Sequence, residues 1–513
     1  MDHLIIGFQN VLTPSTLFWV TVGVTLGYVL GALPGLGKAT GIAVAIPMTF
    51  YLSPVAAIAM LIGIAKGSAA GSAVSAILLN TPGEPSSAPT ALDGYPLARQ
   101  GKAQKALKMG LFASVIGDFL STIVLIVLAA PLAHYALLIG PVELCAILLF
   151  SLTFIGGLAG RSMLKGLIAA AFGVFFATIG IETETFIPRL TFGVMELDDG
   201  ISLVPMAIGM LAVAEMVIQA GNAHTIDREA TEIGDGMSPD DRRVTRAEWR
   251  RCLPVIARGT LIGSIVGILP GLGASVGSFL SYGATQRASK TPEKFGTGMI
   301  EGIAAAESAD NAVVPSSFVP LFALGIPGSV IAAILIAALT LHGLTPGPMM
   351  FVEQPQLVAD LYAAMLCASA ILLVVGYAGQ RIFAQIIRVP VRLIIPVVLL
   401  LCCIGAYMET NSLFSIYLML AFAVLGFFAR KLEFSFVTFL IGFVIGPNLE
   451  LTFRQSLQIL NHDPMRLLGH PIALVFGLLT IVTVAMINRS NSRLAKRQAA
   501  RAEATATTEH SHI

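Results

Sequence analysis

The chain has 513 residues, 56% of them hydrophobic and 12% charged, with a formal net charge of +1. Soluble domains carry about 25% charged residues, so most of this surface faces lipid, and the near-neutral balance gives no reason to invoke nucleic acid. Cys145, Cys252, Cys367, Cys402 and Cys403 lie in or beside apolar segments, at no spacing that suits zinc or a disulfide framework, and read as reduced packing residues.

The N-terminal MDHLIIGFQNVLTPSTLF has no basic n-region or small-residue cleavage site, so no cleaved signal peptide is expected. A spanning helix needs roughly 20 mainly apolar residues, and about a dozen such stretches or broken near-equivalents run between Leu17 and Ile487. The first closes on GALPGLG (Gly31–Gly37), followed by Lys38 and Thr40. A second stretch, carrying Lys66, leads into NTPGEP (Asn80–Pro85) and the turn LDGYP. Beyond a polar stretch the pattern returns as GILPGLG (Gly267–Gly273) with Ser275, then GIPGS (Gly325–Ser329) and the turn LHGLTP. The correspondence continues where GPVELCAILLFSLTFIG, from Gly140, resembles VPVRLIIPVVLLLCCIG, from Val389. The chain therefore reads as two homologous membrane halves, 1–220 and 252–488, joined by a cytoplasmic linker, 221–251. A disordered cytoplasmic tail, 489–513, follows.

Loops rich in Lys and Arg stay cytoplasmic, which places the clusters around Arg99, Arg161, Arg242, Arg287, Arg381 and Arg430 inside, together with the C-terminus. The acidic segment ETETFIPRLTFGVMELDDG then lies outside, and the first copy ends its turn inside while the second ends outside. The expected fold is an all-α polytopic membrane protein of about 12 membrane segments, built as two inverted-topology repeats with broken or re-entrant helices. Such folds hold their sites near the bilayer midplane, where the copies meet.

Pro34 and Pro270 each remove a backbone donor, and the flanking glycines permit non-helical backbone, so each PGLG is expected to end a helix inside the membrane. GLGKATG does not fit a phosphate-binding loop, because Ala32 and Ala39 stand where Gly and Ser or Thr are needed. Small-residue helix packing is the plain reading of most glycines. At the PGLG and Pro-Gly elements the freed amides point instead to anionic oxygens, which suits a carboxylate. Lys38 and Lys66 add charge to that site, or pair with Glu84 or Asp93. Glu307, Asp310 and Asn311 fall within one helical turn between apolar flanks, and either coordinate sodium or carry a proton, or cap a helix. Asp118, Glu143 and Glu215 read as lone interfacial acids, and His134 and His342 as turn residues.

GALPGLGKATGIAVAIPMTF, ILLNTPGEPSSAPTALDGYPLARQ, GILPGLGASVGSFLSYG and ESADNAVVPSSFVPLFALGIPGS, in this order, resemble the large membrane subunit of the tripartite tricarboxylate transporter family. The resemblance covers nearly the whole chain. It implies the permease subunit of a bacterial inner-membrane secondary transporter for tricarboxylates or other small carboxylates, working with a small four-span subunit and a periplasmic solute-binding protein. Uptake would be driven by sodium or protons, with no cofactor. The chain departs from the family pattern at Ala69, Ala70 and Gly71, where many members carry Tyr-Gly-Gly, and at Val314–Ser317. On this reading Pro34, Gly35, Gly37, Lys38, Thr40, Lys66, Asn80, Pro82, Gly83, Gly271, Gly273, Ser275, Pro327 and Gly328 form the substrate site. Glu307, Asp310 and Asn311 hold the coupling cation. A stand-alone ion or organic-anion exchanger or channel is the alternative. No HExxH, GxSxG or paired intramembrane histidines suggest an enzyme.

Overall fold

The computed structural model describes residues 2–158, 162–182, 185–222, 238–386, 391–461 and 463–486; the expected tail and residues 223–237 of the expected linker lie outside them. The first half runs through α1 (Asp2–Val11), α2 (Pro14–Ala32), α3 (Lys38–Ala45), α4 (Pro54–Leu79), α5 (Ala88–Leu97) and α6 (Ala103–Ala136). It continues through α7 (Pro141–Leu158), α8 (Met163–Ala177), α9 (Leu203–Ala207) and α10 (Ala214–Asn222). A π-helical turn, Ile208–Val213, joins the last two. Then come α11 (Pro239–Arg242), α12 (Arg246–Ile268), α13 (Gly273–Ala288), α14 (Ile300–Ser316), α15 (Phe318–Leu324) and α16 (Val330–Leu341). The chain closes with α17 (Met350–Glu353), α18 (Pro355–Ile386), α19 (Val391–Thr410), α20 (Leu413–Lys431), α21 (Phe436–Ile459) and α22 (Pro471–Met486). The strand content of the described residues is one antiparallel pair, β1 (Gly180–Ile181) with β2 (Pro188–Arg189). Nine helices among the described residues are long and apolar enough to cross a membrane, and four shorter apolar helices accompany them. The chain is an all-α, multi-pass membrane protein. α12 begins inside the stretch read as linker, where Thr245 and Glu248 form a capping box that satisfies its first amides.

The chain folds as two compact units: one is built from the described residues of Met1–Leu138 and Thr191–Ala429, the other from those of Ile139–Leu190 and Arg430–Ile513. The first is organised around α4 and α14, whose side chains are almost all buried. α2 lies along α4 at near backbone contact. A Cβ on Gly23, Gly27 or Gly31 would stand 2.2, 2.3 or 2.1 Å from the carbonyls of Met60, Ile64 and Ser68. α12 approaches α14 in the same manner, through Gly263 against the Ala309 carbonyl and Gly267 against the Ser316 hydroxyl. Lipid gives no hydrophobic drive for helix association, so this close backbone packing supplies the dispersion contact that holds the pairs together.

The two PGLG segments break their helices alike. α2 ends on Leu33 and α12 on Leu269, both extended (φ −89 and −84). Gly35 and Gly271 then take the left-handed region (φ 89 and 88), which only glycine enters without strain. Each tip is bonded to the Pro-Gly loop of its own half: the Gly35 amide donates to the Gly83 carbonyl at 3.3 Å, and the Gly271 amide to the Gly328 carbonyl at 3.2 Å. The helix before each loop also ends alike, on Asn80 and on Gly325 in left-handed conformation.

The halves reach into one another through their turns. Asp93 accepts the amides of Gly296, Gly298 and Met299 at 2.8, 3.0 and 2.8 Å, and the Tyr282 hydroxyl at 2.8 Å, so it organises the loop that leads into α14. In the other direction His342 lies 3.2 Å from the Thr49 hydroxyl, in the segment before α4. Burial pushes the His342 imidazole below its usual pKa. His134, expected in a turn, lies in the last turn of α6.

In the second unit α21 packs on α8, with Gly442 against the Ala170 carbonyl and Gly173 against that of Phe439. Arg189 and Arg454 converge on Glu450 at 2.7 and 2.8 Å, and Arg454 also pairs with Glu182. The hydrogen bonds that Arg189 donates to Glu450 hold its guanidinium above its ordinary pKa. Glu143 corrects its reading as a lone acid, because its carboxylate bonds the His470 ring at 2.6 Å.

Candidate functional site

Lys38, Glu84 and Asp310 gather around the tip of α2. Lys38 is the first residue of α3, where the backbone has just left the break and its amide has no helical partner. Glu84, from the Pro-Gly loop, takes both donors of that residue. One carboxylate oxygen accepts the Lys38 amide, and the other lies 3.0 Å from its ammonium. The ammonium also lies 2.9 Å from Asp310 of α14, so a residue of the first half is clamped by acids from both halves. The Lys38 side chain is 4% exposed and that of Asp310 fully buried, with Glu84 at the rim at 13%. A buried ammonium costs several kcal/mol to desolvate and persists only when paired this fully.

Glu307 lies one turn before Asp310 and is fully buried. Its two carboxylate oxygens accept the hydroxyls of Thr90 at 2.6 Å and Ser114 at 2.9 Å. The Asn311 amide donates to the Glu307 backbone carbonyl at 3.0 Å, which turns the Asn311 side-chain carbonyl away from it. Oδ2 of Asp310 and Oδ1 of Asn311 are buried acceptors with no hydrogen-bond donor among the described residues. Asp310 and Asn311 are therefore not helix caps; they lie in the interior of α14. Two orphaned oxygens beside a fully bonded carboxylate form an arrangement of acceptors, which is what a cation or a proton needs.

Lys66 sits apart from the tips. Its ammonium donates to Asp118 at 2.7 Å, Ser369 at 3.0 Å, Thr122 at 3.1 Å and the Met365 carbonyl at 2.9 Å, with no exposure. The cluster ties α4 to α6 and α18. Asp118 thus corrects its reading as an interfacial acid: it is 1% exposed and serves as the counter-ion of Lys66. Glu215 is likewise not alone, since it accepts the Gln219 amide at 2.9 Å. That same amide donates to the Pro34 carbonyl at 3.3 Å and occupies the space over Gly35.

The second tip differs in surroundings. Gly273 takes φ 72, and no atom lies within 4 Å of where its Cβ would stand. Ser275 is half-buried in the first turn of α13, whereas Thr40 is buried in α3. At the aligned positions Lys38 is matched by Ala274 and Glu84 by Ser329, so both partners of the first tip's ion pair are missing from the second. Ser329 instead caps α16 through the Ala332 amide at 3.2 Å and bonds Ser317 at 3.0 Å. Asn80 is exposed and terminates α4; Pro82 is half-buried, and Gly83, Pro327 and Gly328 are buried beneath the tips. A Cβ on Gly83 would fall 2.2 Å from the Gly31 carbonyl, so that glycine serves close approach.

Sequence reasoning missed Thr90, Ser114, Ser369 and Gln219, whose hydroxyls and amide carry no local signal in apolar helices. Glu84 was named only as a pairing partner, although an acid directly after Pro-Gly at a helix break is a readable sign.

No solved structure matches the chain. It is 36% identical over 490 residues, 94% of its own length and 95% of the other's, to an uncharacterized 52.8 kDa protein in the TAR-I ttuC' 3' region of Agrobacterium vitis. It is 34% identical over 223 residues to an uncharacterized protein in the TAR-II ttuC' 3' region of the same organism, covering 43% of this chain and 92% of that one. The family model described as "Tripartite tricarboxylate transporter TctA family" matches residues 17–441, which span both broken helices, both Pro-Gly loops and the buried acids between them. The chain belongs to the tripartite tricarboxylate transporter TctA family, a family of membrane transport components.

Proposed function

We propose that the chain is the permease subunit of a binding-protein-dependent secondary transporter that takes up tricarboxylates or other small carboxylates across the bacterial inner membrane. The two halves act as inverted repeats, with the C-terminus in the cytoplasm. A periplasmic solute-binding protein delivers the anion, and a small four-span subunit completes the membrane assembly. Amides at the two broken-helix tips, around Gly35, Gly37, Gly271 and Gly273, hold carboxylate oxygens with help from Thr40 and Ser275. Sodium or a proton binds at Asp310, Asn311 and Glu307 and couples its gradient to uptake.

The observation that carries this reading is the buried junction of the halves. At the start of α3 a lysine and three acids meet beside two buried acceptors that lack donors among the described residues. A scaffold has no need of orphaned buried oxygens, since each costs about 1–3 kcal/mol when left unpaired. Lys66, with its own counter-ion, serves as an anchor under the site rather than as a ligand. The test is uptake of labelled citrate, smaller dicarboxylates and aromatic acids into proteoliposomes, with the binding protein and small subunit added or omitted. Uptake that needs both partners and collapses with the sodium or proton gradient supports the proposal. Equal flux without partners overturns it in favour of a stand-alone exchanger or channel.

A further inference from the structure

A cavity of about 250 Å³ opens between the start of α6 and the end of α18, lined by Gln104, Lys108, Tyr377, Ala378, Gln380 and Arg381. Its lining includes the Lys108 ammonium, two side-chain amides and a phenol. Gln104 and Gln380 each turn a buried side-chain N–H group into this region without a hydrogen-bond partner among the described residues, and Gln380 is only 7% exposed. Lys108 donates to the Arg242 backbone carbonyl at 2.8 Å and stands 5.6 Å over the Tyr377 ring. Buried amide donors left open beside fixed positive charge are the mirror image of the acid cluster at the transport site. They call for an anion rich in acceptor oxygens.

We propose that this cavity binds the phosphate group of an anionic phospholipid. The position selects lipid over a soluble anion. The cavity lies at the ends of two membrane helices, on the face whose Lys and Arg content reads as cytoplasmic, where basic pockets between helices receive lipid head groups. Along α18 from it, Val374 and Tyr377 are 67% and 54% exposed, an apolar and aromatic strip that acyl chains can follow. The phosphate oxygens accept from the Gln104 and Gln380 amides, while the ammonium of Lys108 supplies the balancing charge. A lipid held there bridges α6 and α18, the two helices that Lys66 joins deeper in the unit.

The experiment uses the full-length protein in a neutral detergent and measures thermal unfolding and retained lipid by native mass spectrometry. The probes are phosphatidylglycerol, phosphatidylcholine and inorganic phosphate. Phosphatidylglycerol is expected to raise the unfolding midpoint and to remain bound, and phosphatidylcholine to do neither. Lys108→Met and Gln380→Leu should each weaken phosphatidylglycerol binding roughly tenfold, the effect of losing one charge-assisted hydrogen bond. An equal response to both lipids, undiminished binding in the variants, or a matching shift from inorganic phosphate alone overturns the proposal. If Gln380→Leu does not fold, Lys108→Met decides, because Lys108 is only half-buried at the rim.

Discussion

Lys38 and Asp310 stand 272 positions apart in the chain and 2.9 Å apart in space, joining the broken helix of one half to the most buried helix of the other. Removing one partner of such a pair leaves an uncompensated buried charge. Lys38→Met is expected to cost about 3–5 kcal/mol, whereas Lys38→Met combined with Asp310→Asn and Glu84→Gln recovers most of it. Thermal or denaturant unfolding of purified protein checks this; equal losses in the single and triple variants would show that the cluster carries no coupling.

Glu84 occupies the amide of Lys38, where a transported carboxylate is proposed to sit. Glu84→Gln keeps the side chain's shape and removes its competing charge. The expected result is a several-fold lower KM for the anion. An unchanged or higher KM in folded variant protein would remove Glu84 from any competition with substrate.

Lys66 is an anchor on the distances given above, so its effect belongs to stability and not to recognition. Lys66→Met alone should destabilise by about 3–5 kcal/mol, and Lys66→Met with Asp118→Leu by far less. The double variant is expected to transport with the wild-type KM; a large KM increase in it would return Lys66 to the substrate site.

Asn311 offers a side-chain oxygen that nothing among the described residues satisfies. Asn311→Leu should raise the half-saturating concentration of the coupling cation about tenfold, the effect of ~1.4 kcal/mol of lost coordination. The anion KM at saturating cation should hold. A shift in anion KM with unchanged cation dependence would contradict the assignment.

His342 is half-buried against Thr49 with its pKa lowered by desolvation, so the unfolded chain binds the proton more readily than the folded one. Stability is then fully present above the unfolded value near ~6.5 and declines as pH falls below it. The unfolding midpoint should drop between neutral and mildly acidic pH, and His342→Asn should flatten that drop. A profile identical to wild type would assign the acid sensitivity elsewhere.

Much of this site was legible before any geometry, for a reason that its residues make clear. Proline and glycine inside an apolar stretch act on their own backbone, so GALPGLG and GILPGLG announced their breaks, and the breaks stand where expected. Charged residues in lipid-facing sequence announce a need for partners, which singled out Lys38, Lys66, Glu307 and Asp310. The identity of the partners was not legible, because it depends on contacts hundreds of positions apart. Asp118 was read as interfacial because it stands as a lone acid among apolar residues, yet Lys66 of α4 meets it on α6. Ser114 and Thr90 gave no signal, because a hydroxyl in a helix usually bonds its own backbone and only tertiary packing turns it to a carboxylate.

The ion pair at Lys38 has no counterpart at Ala274 and Ser329, and that difference bears on energy levels rather than on affinity. A carrier made of two equal, oppositely oriented copies has outward and inward forms related by exchange of roles, and perfect equality would make them isoenergetic. A bonded pair in one copy lifts that degeneracy. On the proposed inverted-repeat reading, the resting orientation would be set by whichever form keeps Lys38 and Glu84 away from water, and the two broken-helix tips, alike in their backbone torsions, would not be interchangeable.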